Sequence, residues 1–352
     1  MKRWVMLLLC VVMAVGLLLM SGCADTQDEA GGQRTVVDIK GKEVAIPQEV
    51  ERYCILYSSA FPMCGMLDEG LEHMVMCPTL YADWAYRLFP DIDEHAVVVD
   101  KRSVTAEQIV ESGAQVVFWS SSSHEELIAS LEQLGIACVN VAVSDADDLI
   151  SAMDIIADTF GTEYAAKQNE RYKEVLNQYK EYAEEHAALI PDSEKKSILV
   201  LGGIEERSAF GEDTYEAYWS GLVGLEYIVP SDDGSGQANL TMEQIYEFAP
   251  DIITVEAFFD EEACRSDPAW SSLEAVKNGL LISNPSVLDT WSKPGAEAPL
   301  QYIWAFARFY PEYAGDVDVM EETQSFYKEF YDYDMSDDEA ERMLAGQRII
   351  FE

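Results

Sequence analysis

Histidine is scarce in this chain of 352 residues, which contains only four. A bare zinc or manganese site needs clustered histidines and carboxylates, and a serine hydrolase needs a histidine beside its nucleophile. The four histidines are widely separated, and the sequence contains no Gly-x-Ser-x-Gly motif. The sequence therefore argues against both classes of protein. His124 leaves two alternatives open, an axial ligand to the metal of a haem or corrin and an exposed residue in the first turn of a helix.

Basic residues are also few. The chain has 23 lysines and arginines against 65 aspartates and glutamates, so its net charge is −42. Such a protein would repel nucleic acid, which excludes nucleic acid as a partner. The acidic residues form no localised cluster in the sequence. Their distribution favours solubility and repulsion between surface proteins over the steering of a cationic ligand.

Seven cysteines are present, but they show no regular spacing. Two belong to the N-terminal segment, which leaves Cys54, Cys64, Cys77, Cys138 and Cys264. An odd number without tight spacing indicates neither a disulfide framework nor a zinc site. We expect most of these thiols to be small buried side chains. A single disulfide bridge between two of them is the alternative.

The longest apolar run lies at the N-terminus, where Lys2 and Arg3 precede residues 4–20 and the tetrapeptide Met-Ser-Gly-Cys follows. This run is too short and wrongly flanked for a transmembrane helix, and is typical of a secretion signal. The residues before Cys23 resemble a bacterial lipobox, whose cysteine is acylated. We predict a signal peptide over residues 1–22, lipidation at Cys23 and a polar tether over residues 23–34. A cleaved signal with an incidental cysteine is the alternative.

Strand and helix patterns alternate in two separate stretches of the remaining chain. Residues 35–47 alternate around Gly41 and predict a β-hairpin. Residues 145–190 show no strand pattern and predict one long helix, or two helices joined near Gly161. The alternation on either side predicts an α/β protein of two Rossmann-like lobes with mainly parallel sheets, joined by one long α-helix. The predicted boundaries are 35–144 for the first lobe, 145–190 for the connecting helix and 191–352 for the second lobe with terminal helices.

One phrase occurs twice, as TAEQIVESGAQVV (105–117) and as TMEQIYEFAPDII (241–253). Each begins with a threonine suited to cap a helix, and each has a glutamate two positions later, Glu107 and Glu243. A glutamate in the first turn is favoured by the helix dipole, which is a sufficient local reason for either residue. The repetition in both predicted lobes indicates a role that needs a matched pair.

The chain resembles the substrate-binding lipoproteins of ABC importers for iron-siderophores, haem and vitamin B12. The resemblance covers roughly residues 35–315. It is carried by TVVDIKGKEVAIPQEVERYCIL (35–56), the two repeated phrases, DPAWSSLEAVKNGLLI (267–282) and FYPEY (309–313). It implies a monomeric, membrane-anchored protein on the extracytoplasmic face that carries out no catalysis, needs no cofactor and closes modestly around its ligand. It also implies that Glu107 and Glu243 dock into arginine pockets of a permease dimer.

Ligands of open α/β sheets lie beyond the carboxyl ends of the strands, which would face each other across a cleft here. The loops at these ends are rich in aromatic residues, which can bury flat ligands, and in cationic residues, which suit an anionic chelate. Serines 120–123 could hold an anion on backbone amides or simply cap a helix. Each candidate could instead be a core or surface residue. The predicted ligand-binding residues are Tyr57, Ser58, Trp84, Arg87, Ser120, Ser121, Arg207, Phe210, Trp291 and Lys293.

We therefore expect the ligand to be a small-molecule metal chelate, such as an iron-siderophore, haem or cobalamin. An oxyanion such as molybdate or tungstate is the first alternative, because hydroxyl groups and backbone amides can bind it. A surface receptor that captures haem without a transporter is the second.

Overall fold

The computed structural model of the chain describes residues 32–78, 83–120, 124–230, 237–256 and 258–351. The predicted signal peptide, the lipidation site Cys23 and the predicted ligand-binding residue Ser121 lie outside these ranges. Within them, no helix has the combination of length and apolarity that crossing a bilayer requires.

The first element is the hairpin predicted around Gly41. Strands β1 (Gln33–Val37) and β2 (Glu43–Pro47) form a two-stranded sheet. Gly41 turns the chain with a φ of +78°, a left-handed conformation that glycine adopts without steric cost. The Asp38 carboxylate closes the turn by accepting hydrogen bonds of 2.9 Å from the backbone nitrogens of Lys40 and Lys42.

The first lobe is built on five short strands that pair in parallel: β3 (Tyr53–Ile55), β4 (Met74–Pro78), β5 (Val97–Val99), β6 (Val116–Trp119) and β7 (Ala137–Asn140). Their order across the sheet is β5-β4-β3-β6-β7. Its helices are α1 (Ala60–Leu67), α2 (Asp83–Leu88), α3 (Ile92–His95), α4 (Ala106–Glu111) and α5 (Glu125–Gln133), with a 3₁₀ turn at Glu69–Leu71. Because helices cover the sheet, β3 and β4 are buried along their whole length.

Two helices connect the lobes, α6 (Ala146–Phe160) and α7 (Glu163–Ala187). Gly161 ends the first with a φ of +66°, and Thr162 caps the second by accepting a hydrogen bond from the backbone nitrogen of Ala165. The guanidinium of Arg34 packs against Gly161 and donates to the carbonyls of Asp158 and Thr159. The connection therefore takes the second of the two predicted forms, a pair of helices joined at Gly161.

The second sheet is mixed. Its strands are β8 (Ser197–Gly203), β9 (Ser208–Phe210), β10 (Glu226–Tyr227), β11 (Gln237–Asn239), β12 (Ile252–Val255) and β13 (Leu281–Ser283). The order is β11-β9-β8-β12-β13, and β10 also pairs with β8. Strands β8, β10, β12 and β13 are parallel, whereas β9 runs antiparallel to β8 and to β11. The prediction of mainly parallel sheets is confirmed, with an antiparallel edge that the sequence patterns did not indicate.

The helices of the second lobe follow the same alternation and then continue to the end of the chain. Those within the lobe are α8 (Tyr215–Leu222), α9 (Met242–Phe248), α10 (Glu261–Ser266), α11 (Pro268–Ser271) and α12 (Glu274–Lys277), with a 3₁₀ turn at Asp192–Glu194 before β8. The terminal helices are α13 (Ala298–Phe309), α14 (Val319–Tyr331) and α15 (Asp337–Leu344).

Helix α14 returns to the first lobe and packs against α1. The Tyr331 hydroxyl donates to the carbonyl of Pro62 at 3.2 Å, and its ring lies over Gly65 beside Phe89. As a result, the largest cluster of buried apolar residues extends through both lobes and the terminal helices. Each sheet also has one smaller apolar cluster of its own, on one of its sides. The lobes are thus joined by this packing as well as by the connecting helices.

Candidate functional site

The first wall of the cleft is formed where two strands of the first sheet end. Ser58 and Ser59 follow β3, and Lys101 follows β5. The Lys101 ammonium donates a 2.9 Å hydrogen bond to the Ser58 hydroxyl. Lys101 is half-buried, and no carboxylate pairs with it in the part of the chain that the structure describes. It lines a separate cavity of the first lobe and is connected to the cleft wall through Ser58. Lys101 is not among the predicted residues, although a cation directly after an apolar strand is a usable signal.

The second wall is the loop that follows β13. Residues 286–289 of this loop face Ser58 and Trp84 across a cavity of about 390 Å³. The Ser59 hydroxyl donates to the Asp289 carboxylate at 3.4 Å and so connects the two walls. The lining residues are Ser58, Asp83, Trp84, Phe258, Ser286, Val287, Leu288, Asp289, Arg348 and Ile349. The 286–289 segment and Arg348 are not among the predicted residues, because neither belongs to a recognisable motif.

A buried acidic cluster lies beside the second wall. Glu256 follows β12 and accepts a 3.0 Å hydrogen bond from Ser292, and its carboxylate lies 3.5 Å from the Lys293 ammonium. Burial raises the pKa of Glu216 and of Glu256, and their hydrogen bond and mutual repulsion raise that of Glu216 further. Lys293, a predicted ligand-binding residue, therefore already has an anionic partner, while its side chain stays partly exposed.

Some of the other predicted residues of the first lobe line the cavity and some do not. Ser58 and Trp84 line the cavity. Tyr57 is half-buried, with its hydroxyl 3.4 Å from the backbone nitrogen of Val143, and Ser120 is half-buried at the end of β6.

Trp84 and Arg87 are engaged by the C-terminal segment. The Trp84 ring, only 4% exposed, meets the Phe351 ring edge-on at 4.7 Å. The Arg87 guanidinium donates to the Tyr333 hydroxyl at 3.2 Å, lies over Phe351 and is 4.0 Å from Glu339. Little of the Trp84 side chain is therefore available to the cavity.

Three predicted residues of the second lobe lie away from the cavity wall. Arg207 turns the chain between β8 and β9 with a φ of +51° and donates to the Leu240 carbonyl at 2.8 Å. Phe210 belongs to the core, and Trp291 is fully buried, donating to the Tyr327 hydroxyl at 3.3 Å. A ligand could reach Phe210 and Trp291 only after a rearrangement, and Arg207 is partly exposed but does not line the cavity, so the predicted roles of all three find no support in this geometry.

The repeated phrases fold in the same way. Thr105 and Gln108 form a capping box at the start of α4, and Thr241 and Gln244 form the same capping box at the start of α9. Glu107 and Glu243 occupy the second position of each helix, and both are exposed. Their exposure leaves both carboxylates accessible to a partner, while docking itself stays a prediction.

His124 is buried at the start of α5, which rules out the expected exposed position. Its Nε2 lies 2.8 Å from the carbonyl oxygen of Lys101. It lines a separate cavity of about 470 Å³ in the first lobe, between Lys101 and Glu126. This contact to the backbone gives His124 a structural role in holding the loop after β5.

A cavity of about 780 Å³, larger than the cleft, lies beside the edge strand β13. It is lined by the second lobe and the terminal helices, including Arg265, Arg308 and Trp304, and it shares only Phe258 and Arg348 with the cleft. Because no residue of the first lobe lines it, it does not have the two-walled arrangement of the cleft.

Neither metal ligands nor disulfides are assembled in the described ranges. No group of three or more histidine, cysteine, aspartate or glutamate side chains there could hold a metal ion. Cys54, Cys64, Cys77, Cys138 and Cys264 are all free and buried. Burial raises the pKa of Cys77 and Cys138 to about 12, so these thiols are unreactive at neutral pH.

Two α/β lobes that contribute loops from the carboxyl ends of their strands to one cavity define a two-lobed ligand-binding protein. The sequence model of the periplasmic binding protein family matches residues 69–288, and the chain belongs to this family. It is therefore a solute-binding protein of an ABC transporter that acts outside the cytoplasm and catalyses no reaction. The predicted family, fold class and absence of enzymatic activity are confirmed.

The relatives bind different solutes. The molybdate-binding protein MolA of Haemophilus influenzae is 21% identical over 339 residues, covering 88% of this chain and 94% of MolA. The Fe(3+)-citrate-binding protein YfmC of Bacillus subtilis is 22% identical over 300 residues, covering 80% of this chain and 89% of YfmC.

Solved structures share the fold. MolA bound to molybdate superposes with a TM-score of 0.76 at 18% identity, covering 86% of this chain and 99% of MolA. A periplasmic solute binding protein from Veillonella parvula gives a TM-score of 0.75 at 20% identity, covering 89% and 97%.

Proposed function

We propose that this chain captures a compact, oxygen-rich metal anion in its cleft and delivers it to an ABC importer. A ferric carboxylate chelate is the first candidate, and a metal oxyanion such as molybdate or tungstate is the second. The observation that carries this proposal is Lys101, a half-buried cation that donates to Ser58 of the cleft wall and has no carboxylate partner among the described residues. In a chain with a net charge of −42, an anionic ligand is the natural partner for that ammonium group.

The rest of the wall also suits an anion. Ser58 and Ser286 offer hydroxyl donors, and the exposed Arg348 adds a second cation that no described carboxylate pairs with. Asp83 and Asp289 would repel a bare oxyanion but could accept hydrogen bonds from a chelate that carries hydroxyl groups. Those two carboxylates support the ferric chelate as the first candidate, and the relationship to MolA supports the oxyanion as the second.

Haem and cobalamin fit this cleft less well than a compact ligand. A volume of about 390 Å³ is near the lower end of the range of about 300–1,000 Å³ for ligand pockets. The faces of Trp84 and Trp291, which a flat macrocycle would need for stacking, are covered by other residues.

Delivery would use the lipid anchor and the matched glutamates. Lipidation at Cys23 would hold the protein at the membrane beside its transporter, and two acyl chains are enough for stable anchoring. Glu107 and Glu243, exposed on equivalent helices of the two lobes, would dock into arginine pockets of a permease dimer.

A thermal-shift screen tests the ligand class. Ferric citrate, ferric siderophores, molybdate, tungstate, haem and cobalamin are compared, since a ligand that binds only the native state raises its Tm. We expect a rise with ferric citrate or with the oxyanions. A rise with haem or cobalamin alone, or with none of the compact anions, would contradict the proposal.

The variant Lys101→Met tests the observation on which the proposal depends. It should weaken the affinity for the ligand found by at least about tenfold, because a charged partner of an anion is lost. Lys101→Arg should keep much of the affinity. Lys167→Met removes an exposed lysine of α7 and should leave the affinity unchanged. Equal affinities for the native protein and Lys101→Met would show that this ammonium does not bind the ligand.

A further inference from the structure

The structure assigns to Glu297 and Tyr327 the role of positioning residues for the second wall of the cleft. They form a buried clamp, defined here as the Glu297 carboxylate and the Tyr327 hydroxyl. The clamp holds the tip of the 285–291 loop, which contributes residues 286–289 to the cavity. The consequence for ligand binding rests on the function proposed for the cleft, whereas the effect on the loop itself does not.

The clamp is built from short contacts inside the core. Glu297 is 2% exposed at the start of α13. Its carboxylate accepts hydrogen bonds from the backbone nitrogens of Leu288, at 3.2 Å, and Asp289, at 2.8 Å. Tyr327 of α14 donates its hydroxyl hydrogen to the same carboxylate and accepts a 3.3 Å hydrogen bond from the Trp291 indole nitrogen. One carboxylate and one hydroxyl therefore bind three residues of one loop.

The loop also has restraints that do not involve the clamp, since Val287 is fully buried in the core and its backbone nitrogen donates to the Asp289 carbonyl at 3.3 Å. Ser286 and Thr290 form an isolated antiparallel bridge, and the backbone nitrogen of Trp291 donates to the Pro285 carbonyl at 3.0 Å. These contacts close the base of the loop, while the nitrogens of residues 288 and 289 point to the carboxylate. Without the carboxylate, two backbone donors would lose their partners in a half-buried place, and we expect the tip to move so that they find others.

The tip forms the contact between the walls. Leu288 and Asp289 line the cavity, and Asp289 accepts the hydrogen bond from Ser59 of the first lobe. A displaced tip would therefore change the shape of the cavity and the distance between its walls. This is why the clamp bears on ligand binding although neither Glu297 nor Tyr327 lines the cavity.

Helix α14 ties the clamp to the first wall as well. Tyr327 and Tyr331 stack on one face of α14, with ring centroids 5.8 Å apart. Tyr331 holds the Pro62 carbonyl of α1, the helix that begins directly after Ser58 and Ser59. Helix α14 thus contacts both α1, which follows the first wall, and the loop of the second wall. The clamp therefore fixes the position of the second wall relative to the first.

Hydrogen–deuterium exchange of the ligand-free full chain tests the clamp directly. Glu297→Ala and Tyr327→Phe should raise the exchange rate of residues 285–291 by at least tenfold, and leave β8 and β12 unchanged. Glu297→Gln keeps one acceptor oxygen and should restore part of the protection lost in Glu297→Ala. Thr323→Val is the matched control, because Thr323 is buried on α14 and its hydroxyl has no partner among the described residues. It should leave the loop unchanged.

Two results would overturn the assignment. One is unchanged exchange at residues 285–291 in both Glu297→Ala and Tyr327→Phe. The other is an equal rise in the loop and in the two strands, which is the mark of general destabilisation. Affinity for ferric citrate and molybdate is then measured on folded variants, with an expected loss of about tenfold for Tyr327→Phe. If the native protein binds neither probe, the proposed ligand class fails while the exchange data still decide the clamp.

Discussion

Glu297 gives the fold a pH dependence opposite to that of a carboxylate in a salt bridge. Burial raises the pKa of Glu297 to about 7, above its ordinary value of 4.5, despite the hydrogen bonds that favour its charged form. The groups that face it are Asp289 from the loop, Tyr327 and Tyr331 from α14, and Tyr172 from α7. None of these is a cation, so its charge at neutral pH is held by hydrogen bonds alone.

We expect the protein to become more stable as the pH falls from 8 to 5. Between the two pKa values the folded state keeps a proton that the unfolded state has released, so unfolding becomes less favourable as the pH falls through 7 and towards 4.5. The contribution of Glu297 is on the order of 3 kcal/mol. The buried Glu216, whose pKa is also raised, adds an effect of the same sign. Urea unfolding at several pH values measures the slope.

The Glu297→Gln variant separates this effect from the general relief of charge repulsion on acidification. It should have a shallower pH slope than the native protein, whereas Glu184→Gln, at an exposed position on α7, should keep the native slope. Equal slopes in all three proteins would show that Glu297 does not titrate in this range.

For single residues, the sequence predicted which types of side chain occur near the cleft better than it predicted which individual residues line it. An aromatic side chain after a strand suits both a cleft and a core, and Trp291 enters the core because its loop folds onto α14. Lys101 and Glu297 were not predicted, because the role of each depends on hydrogen-bond partners that are distant in sequence. The helix starts that carry Glu107 and Glu243 were predictable because helix capping is a local signal, while the docking role of the two residues stays a prediction.

Gly161 shows what a single residue does for an element. Its φ of +66° disfavours any residue with a Cβ atom, and a Cβ there would lie 2.8 Å from the Arg34 guanidinium. Gly161→Ala should therefore lower the free energy of unfolding by about 1–2 kcal/mol, measured by urea unfolding.

Gly221 provides a control with the opposite sign. It lies within α8, where its φ is not positive and a Cβ would meet nothing within 4 Å. Gly221→Ala should raise the free energy of unfolding by about 0.5–1 kcal/mol, because alanine favours a helix. A Gly161→Ala variant as stable as the native protein would show that the break between α6 and α7 does not depend on glycine.

Helix starts and breaks that depend on a few neighbouring residue types were predictable. Strands whose direction depends on the strand they pair with were not. The break at Gly161 and the caps at Thr105 and Thr241 follow from residue types at fixed positions. Strands β9 and β11 have three residues each, too few for a period, and they form an antiparallel edge only because β8 is available. Their direction is a property of the assembled sheet.

The whole molecule combines two supports for its cleft. The connecting helices join the lobes at one place, and α14 packs against α1 at another. A core shared between the lobes resists large hinge motion, because opening it would expose apolar surface. We therefore expect modest closure on ligand binding, with the loop after β13 as the part of the second wall that adjusts.

The proposed docking of Glu107 and Glu243 belongs to the scale of the whole molecule, since a permease with twofold symmetry would meet one carboxylate from each lobe. Reversing both charges, in Glu107→Lys with Glu243→Lys, should lower ligand uptake by cells at least about tenfold. Affinity for the ligand should stay within twofold, because neither residue lines the cleft. The lost first-turn carboxylates should cost no more than about 1 kcal/mol of stability for each helix.

The repeated phrases also supply the control for this experiment. Glu111 and Glu247 lie one helical turn after Glu107 and Glu243, on the same helices, and are exposed as well. The double variant Glu111→Lys with Glu247→Lys makes the same change in net charge and should keep uptake near the native level. An equal loss in both double variants would mean that overall charge matters more than the two docking positions. Unchanged uptake in the first would leave Glu107 and Glu243 as first-turn helix residues only, and the reason for the repetition would lie in helix capping.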